Sequence, residues 1–89
     1  MSALEASLKR QVINWLKTQK LWFYKASDRY TAGIPDIIIC KDGRFVAIEL
    51  KADRGVVSKI QMYMIDSIKI NGGVSVVCRT LDEVKLATR

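Results

Sequence analysis

The sequence predicts an α/β domain in which helices flank one mixed sheet of about four strands. Three observations carry that prediction. Apolar residues recur at helical spacing near the start and again over about 59–70. Alternating or β-branched runs lie at 36–40, 44–51 and 74–78. Between the first two of those runs stands Asp42-Gly43, a strong short hairpin signal.

Taken in order, Leu4, Leu8, Val12, Trp15 and Leu16 line one side of a helix from Ser2 to about Thr18, with Lys9, Arg10, Asn14 and Lys17 on the other. Ser2 and Glu5 fit a capping box, in which serine and glutamate satisfy free amides of the first turn. The aromatic run from Leu21 to Ala26 reads as a strand and the polar stretch after it as a loop. Asp36 to Cys40 and Arg44 to Lys51 form the hairpin. Ser58 and Gln61 repeat the capping-box pattern ahead of a helix from Lys59 to Ile70, which Asn71-Gly72-Gly73 ends. Val74 to Cys78 must then return to the sheet as a crossover strand. Thr80 with Glu83 caps a last short helix. Cys40 and Cys78 both fall in strands and read as small core residues, neighbours across the sheet.

The chain has 89 residues, enough for one domain, with 49% hydrophobic and 27% charged residues and no apolar run long enough to span a membrane. Its start is amphipathic and carries Glu5, unlike a signal or transit peptide, so a cytoplasmic location is expected. There is no histidine. That excludes Ser-His and Cys-His nucleophile pairs and His-containing zinc sites, and leaves carboxylates, lysines and metal ions as the source of any chemistry. A net charge of +6 favours a polyanionic partner such as nucleic acid. So small a domain buries only about 60–65% of its unfolded surface, which makes oligomerisation an expected source of further stability.

The hairpin has a chemical consequence. With the turn at Asp42-Gly43, Cys40 faces Phe45, Ile38 faces Ala47 and Asp36 faces Glu49, so two acids lie opposite each other with Cβ atoms about 5 Å apart. Lys51 shares their face, while Val46, Ile48 and Leu50 point into a core. Like charges across a strand pair are destabilising unless a cation lies between them. Two carboxylates completed by water and phosphate oxygens suit Mg²⁺ or Mn²⁺. Lys51 beside that ion is placed to orient or deprotonate a water, or to neutralise a phosphate. Singly, Asp36 also fits an ordinary Gly-x-Pro-Asp turn, and Glu49 with Lys51 an ordinary ion pair at a strand end.

Pro35-Asp36 followed by Glu49-Leu50-Lys51 resembles the PD-(D/E)xK nuclease signature. The wider pattern, with Gly33-Ile34-Pro35-Asp36, Asp42-Gly43-Arg44-Phe45, Glu49-Leu50-Lys51 and then Gly55, Ser58 and Gln61, is similar to the VRR-NUC family and spans most of the chain. The resemblance implies a restriction-endonuclease-like αβββαβ core and divalent-metal hydrolysis of phosphodiesters, as in archaeal Holliday-junction resolvases. It also implies a homodimer acting on branched DNA. Asp36, Glu49 and the Leu50 carbonyl would hold the metal and Lys51 would serve the water or the scissile phosphate. Glu5 matches the acid that related resolvases carry on their first helix, where it binds a second metal or a metal-bound water. Its capping role is the rival reading. Gln61 matches a helical glutamine near the lysine, again alongside a capping role.

Lys25, Arg29, Arg54, Ser58 and Lys59 flank this site in sequence and are candidate DNA contacts, as is Tyr30 by stacking on an unpaired base. Trp15, Trp22 and Phe23 are assigned to packing or a dimer face. Two other functions stay open on the sequence: a repair or restriction-type nuclease acting on flapped, nicked or linear duplex DNA, and a non-catalytic DNA-binding module. A small stand-alone nuclease of this kind suggests a phage or bacterial host.

Overall fold

Asp42 and Gly43 reverse the chain with φ of 52° and 76°, the pair of left-handed conformations that a two-residue type I′ hairpin requires. They form an exposed turn in a computed structural model that describes residues 2–26 and 30–89. Its elements run α1 (Ala3–Leu16), β1 (Trp22–Lys25), β2 (Ile37–Lys41), β3 (Arg44–Leu50), α2 (Lys59–Ile70), β4 (Val74–Cys78) and α3 (Leu81–Ala87). The expected α/β class and mixed four-stranded sheet are present. The strands lie in the order β1-β2-β3-β4, the first three antiparallel and β4 parallel to β3. The parallel pairing follows from the α2 crossover, because a strand reached through a helix re-enters the sheet in the same direction.

The hairpin register is the expected one: Cys40 pairs with Phe45, Ile38 with Ala47 and Ile37 with Ile48. Asp36 stands one residue before β2 and still belongs to the ladder, since Ala26 N–H donates to its carbonyl at 2.9 Å. One sheet face supplies Ile37, Ile39, Val46, Ile48, Leu50 and Cys78 to the core, closed by Leu8, Val12 and Leu16 of α1 and Val84 of α3. The other face is covered by α2 at its β3–β4 end. There Ala47 pairs with Ser75, both buried, and two small side chains let a helix approach closely. All residues from Val46 to Leu50 are therefore buried, on both faces.

Each helix begins on the residue its sequence indicated. Ser2, Ser58 and Thr80 accept hydrogen bonds from Glu5, Gln61 and Glu83 N–H at 3.0, 3.2 and 3.1 Å. At Ser58 the box is closed by Gln61 Oε1 accepting from Ser58 N–H at 2.9 Å. At Ser2 the serine half is recorded. At α3 the Glu83 carboxylate accepts from Arg79 N–H instead, at 3.1 Å.

The cysteine expectation needs correcting. Cys78 is buried, but Cys40 is exposed. They lie on β4 and β2, separated by β3, and face opposite sides of the sheet. Cys40 shares its face with Trp22 and Phe45. That surface over β1 and β2 stays open, with Trp22 59% and Tyr24 54% exposed and their rings stacked at 6.3 Å. Among the described residues no helix is long and apolar enough to cross a membrane.

Candidate active site

The outer end of the β2–β3 ladder carries the site. Pro35, fully buried, leads the chain into β2 and sets Asp36 at the ladder's edge opposite Glu49. Gly33 allows the preceding loop to lie against the first turn of α2: its φ is 79°, and a Cβ there would stand 2.7 Å from the Ile60 carbonyl oxygen. Only glycine fits so close a backbone approach in that conformation.

Asp36 is held on both oxygens. Oδ2 accepts from Leu50 N–H at 2.7 Å, and Oδ1 lies 3.6 Å from Lys9 Nζ. Glu49 is only 3% exposed, although its side chain is an acid. Its Oε1 accepts from Gln61 Nε2 at 3.0 Å and lies 3.8 Å from Lys51 Nζ, while its Oε2 is buried without a hydrogen-bond donor. Burial, followed by the neighbouring Asp36 carboxylate, pushes the Glu49 carboxyl from 4.5 up to about 8; Lys51 pulls it down in part, and Glu5 adds a smaller upward push. An unpaired buried carboxylate oxygen calls for a positive partner. A proton shared with Asp36 supplies one, and a cation supplies a stronger one.

The donor set fits a small hard cation. Asp36 and Glu49 provide carboxylate oxygens, one of them otherwise unsatisfied. The Leu50 carbonyl lies to the same side of the extended strand as the Leu50 N–H that binds Asp36. Among the described residues no three acids, histidines or cysteines group to hold a metal. Two carboxylates would leave the remaining positions of such an ion to water or phosphate oxygens. Glu5 does not form a three-acid group with Asp36 and Glu49 among the described residues. It lines a separate cleft of about 340 Å³ with Asp53 and Arg54, and only its charge reaches Glu49.

Lys51 is fixed from behind by the turn that follows β3. Asp53 takes φ of 51°, Gly55 N–H donates to the Ala52 carbonyl at 2.9 Å, and a Cβ on Gly55 would lie 3.4 Å from Lys51 Cδ. Arg79, immediately after β4, pins this turn through Nη1, 2.9 Å from the Gly55 oxygen and 3.4 Å from that of Asp53.

Among solved structures the chain is similar to one named "VRR_NUC domain protein", with a TM-score of 0.80 and 24% identity over 94% of this chain and 84% of that one. A second, named "VRR_NUC domain", aligns with a TM-score of 0.79 and 15% identity over 96% of this chain and 94% of the other. This chain has the VRR_NUC fold. No family model and no curated protein matches it. The likeness takes in 94–96% of this chain.

The remaining expected residues fall at different distances from this centre. Gln61 reaches it directly. Ser58 caps α2 and Lys59 begins it, both exposed beside Gln61. Arg54 lines the Glu5 cleft. Lys25 ends β1, exposed, just before the residue that bonds Asp36. Tyr30 is 99% exposed. Arg29 lies outside the described residues. Sequence reasoning missed Lys9 and Arg79. Lys9 had a readable signal, since it lies four residues after Glu5 on one helix face; Arg79 had none, because its position depends on β4 docking beside β3.

Proposed function

We propose that this protein is a divalent-metal-dependent endodeoxyribonuclease, acting as a homodimer on branched DNA such as Holliday junctions. The observation that carries the reading is the facing Asp36–Glu49 pair, with its donorless Oε2 and Lys51 alongside. An ordinary sheet gains nothing by setting a buried acid against a second, partly exposed one, whereas a metal-hydrolysis site needs them. Mg²⁺ or Mn²⁺ bound by Asp36, Glu49 and the Leu50 carbonyl supplies Lewis acidity and lowers the pKa of water. Gln61 orients the Glu49 carboxylate. Lys51, less than one-sixth exposed along its side chain, presents an ammonium to the attacking water or to charge developing on the phosphate.

The positive net charge and the VRR_NUC fold support DNA as the substrate. The open apolar strip of Trp22, Tyr24, Cys40 and Phe45 supports a second copy as the cover for β1 and β2, as expected for a protein that presents two sites to one junction. The test compares a labelled four-way junction with its linear arms in Mg²⁺ and Mn²⁺, beside a measurement of solution mass. Paired symmetric incisions across the junction and a dimeric mass are expected. Equal cleavage of the linear arms identifies a general duplex nuclease, and a monomeric mass removes the dimer.

A further inference from the structure

Along one flank of the molecule, three of four basic side chains have no acidic partner among the described residues. Lys9, Arg10 and Lys17 of α1, with Asn14 among them, line a groove of about 430 Å³ together with Lys25 at the end of β1. No acid lines it. Of these four side chains, only Lys9 is ion-paired among the described residues, and its partner is Asp36. Lys9, Ile13 and Lys17 recur at four-residue steps, so the cations extend over about 12 Å of helix axis. Four like charges gathered on one groove repel one another, and a folded chain gains nothing from collecting them there.

The groove also has a direction. At its inner end Lys9 Nζ stands 3.6 Å from Asp36 Oδ1. Lys25 immediately precedes Ala26, whose N–H donates to the Asp36 carbonyl. The cationic track thus opens onto the carboxylate pair from the α1 side. A strand lying in it would meet Lys17 and Arg10 first, then Lys9 and Lys25 where the candidate metal ligands begin.

We propose that this α1–β1 groove is the track for the DNA backbone leading into the site, with Lys9, Arg10, Lys17 and Lys25 as its phosphate contacts. The inference rests on the nuclease reading for its ligand, but it concerns binding and can be tested without cleavage. Phosphate contacts of this kind position a strand without reading its sequence, and each releases counterions on binding.

The test is equilibrium binding of a fluorescein-labelled duplex DNA oligonucleotide in excess EDTA across a salt series. Arg10→Gln/Lys17→Gln removes two track charges that touch neither carboxylate. Lys69→Gln/Lys85→Gln removes two charges from α2 and α3 as a control of equal net charge. Lys25→Gln approaches the groove from a different element, and a thermal melt of each variant verifies folding. The track variant is expected to bind on the order of tenfold more weakly, with a log-affinity against log-salt slope shallower by about 1.8. Lys25→Gln is expected to flatten it by about 0.9, and the control to keep the parent slope. Equal losses in track and control variants overturn the groove while leaving DNA as the ligand. Absence of any salt-dependent binding by the parent protein overturns both readings.

Discussion

One side-chain amide joins the start of α2 to the buried carboxylate: Gln61 accepts from Ser58 N–H with Oε1 and donates from Nε2 to Glu49 Oε1 at 3.0 Å. The cap fixes the amide's orientation, and that orientation aims its donor at Glu49. Gln61→Glu retains a capping-box acceptor but replaces the donor with a third negative charge. The variant is expected to match the parent in thermal stability near pH 5 and to fall below it near pH 8, by about 1–2 kcal/mol, in melts followed by circular dichroism without metal. Gln61→Ala, which loses the cap as well, is expected to be destabilised at both pH values.

Glu49 itself sets a pH dependence. Its carboxyl titrates at about 8 in the folded chain against 4.5 ordinarily, through burial first and Asp36 second. Between those values the folded protein holds a proton that the unfolded chain has released, so stability falls as pH rises. This contribution is complete below about 4.5 and is lost as pH passes through about 8. In EDTA the melting temperature is therefore expected to decline over this range, and Glu49→Gln to flatten the decline and raise the melting point near pH 8 by on the order of 5 °C. Melts at matched ionic strength check it.

Lys9 neutralises Asp36 at 3.6 Å, where a metal ligand would need its charge free. Lys9→Gln removes a competing cation and is expected to tighten Mn²⁺ binding roughly threefold to tenfold, measured by calorimetry without DNA. The same variant is expected to weaken DNA binding, so its two effects carry opposite signs.

Arg79 acts on Lys51 through the turn that it pins. Arg79→Ala is expected to cost about 1 kcal/mol of stability for its two carbonyl contacts. It is also expected to reduce cleavage at saturating DNA more than it weakens DNA binding, with Arg79→Lys intermediate. Single-turnover kinetics beside a binding titration separate the two quantities.

The hairpin and its consequence were legible because Asp42-Gly43 permits one tight register, and that register alone sets Asp36 against Glu49. The three caps were legible for the same local reason. Less visible was how deeply Glu49 is buried, since alternation along β3 describes one covered face, whereas α2 covers the second. Cys40 shows the converse: it sits on that same face, but beyond the reach of α2. Lys9 and Arg79 reach the site from α1 and from the end of β4, and only tertiary docking brings them there. Glu5 carried two readings in sequence; the structure shows Ser2 capping the Glu5 N–H, and the Glu5 carboxylate touches Glu49 through its charge alone.

The central claim is that Asp36, Glu49 and Lys51 form a metal-dependent phosphodiester-hydrolysing site. The most direct measurement is cleavage of labelled DNA in Mn²⁺ by the parent protein, Asp36→Asn and Lys51→Ala, each confirmed as folded and able to bind DNA. Cleavage by the parent alone, abolished by excess EDTA, is the predicted result. Undiminished cleavage by both variants, or cleavage that persists in EDTA, would contradict it.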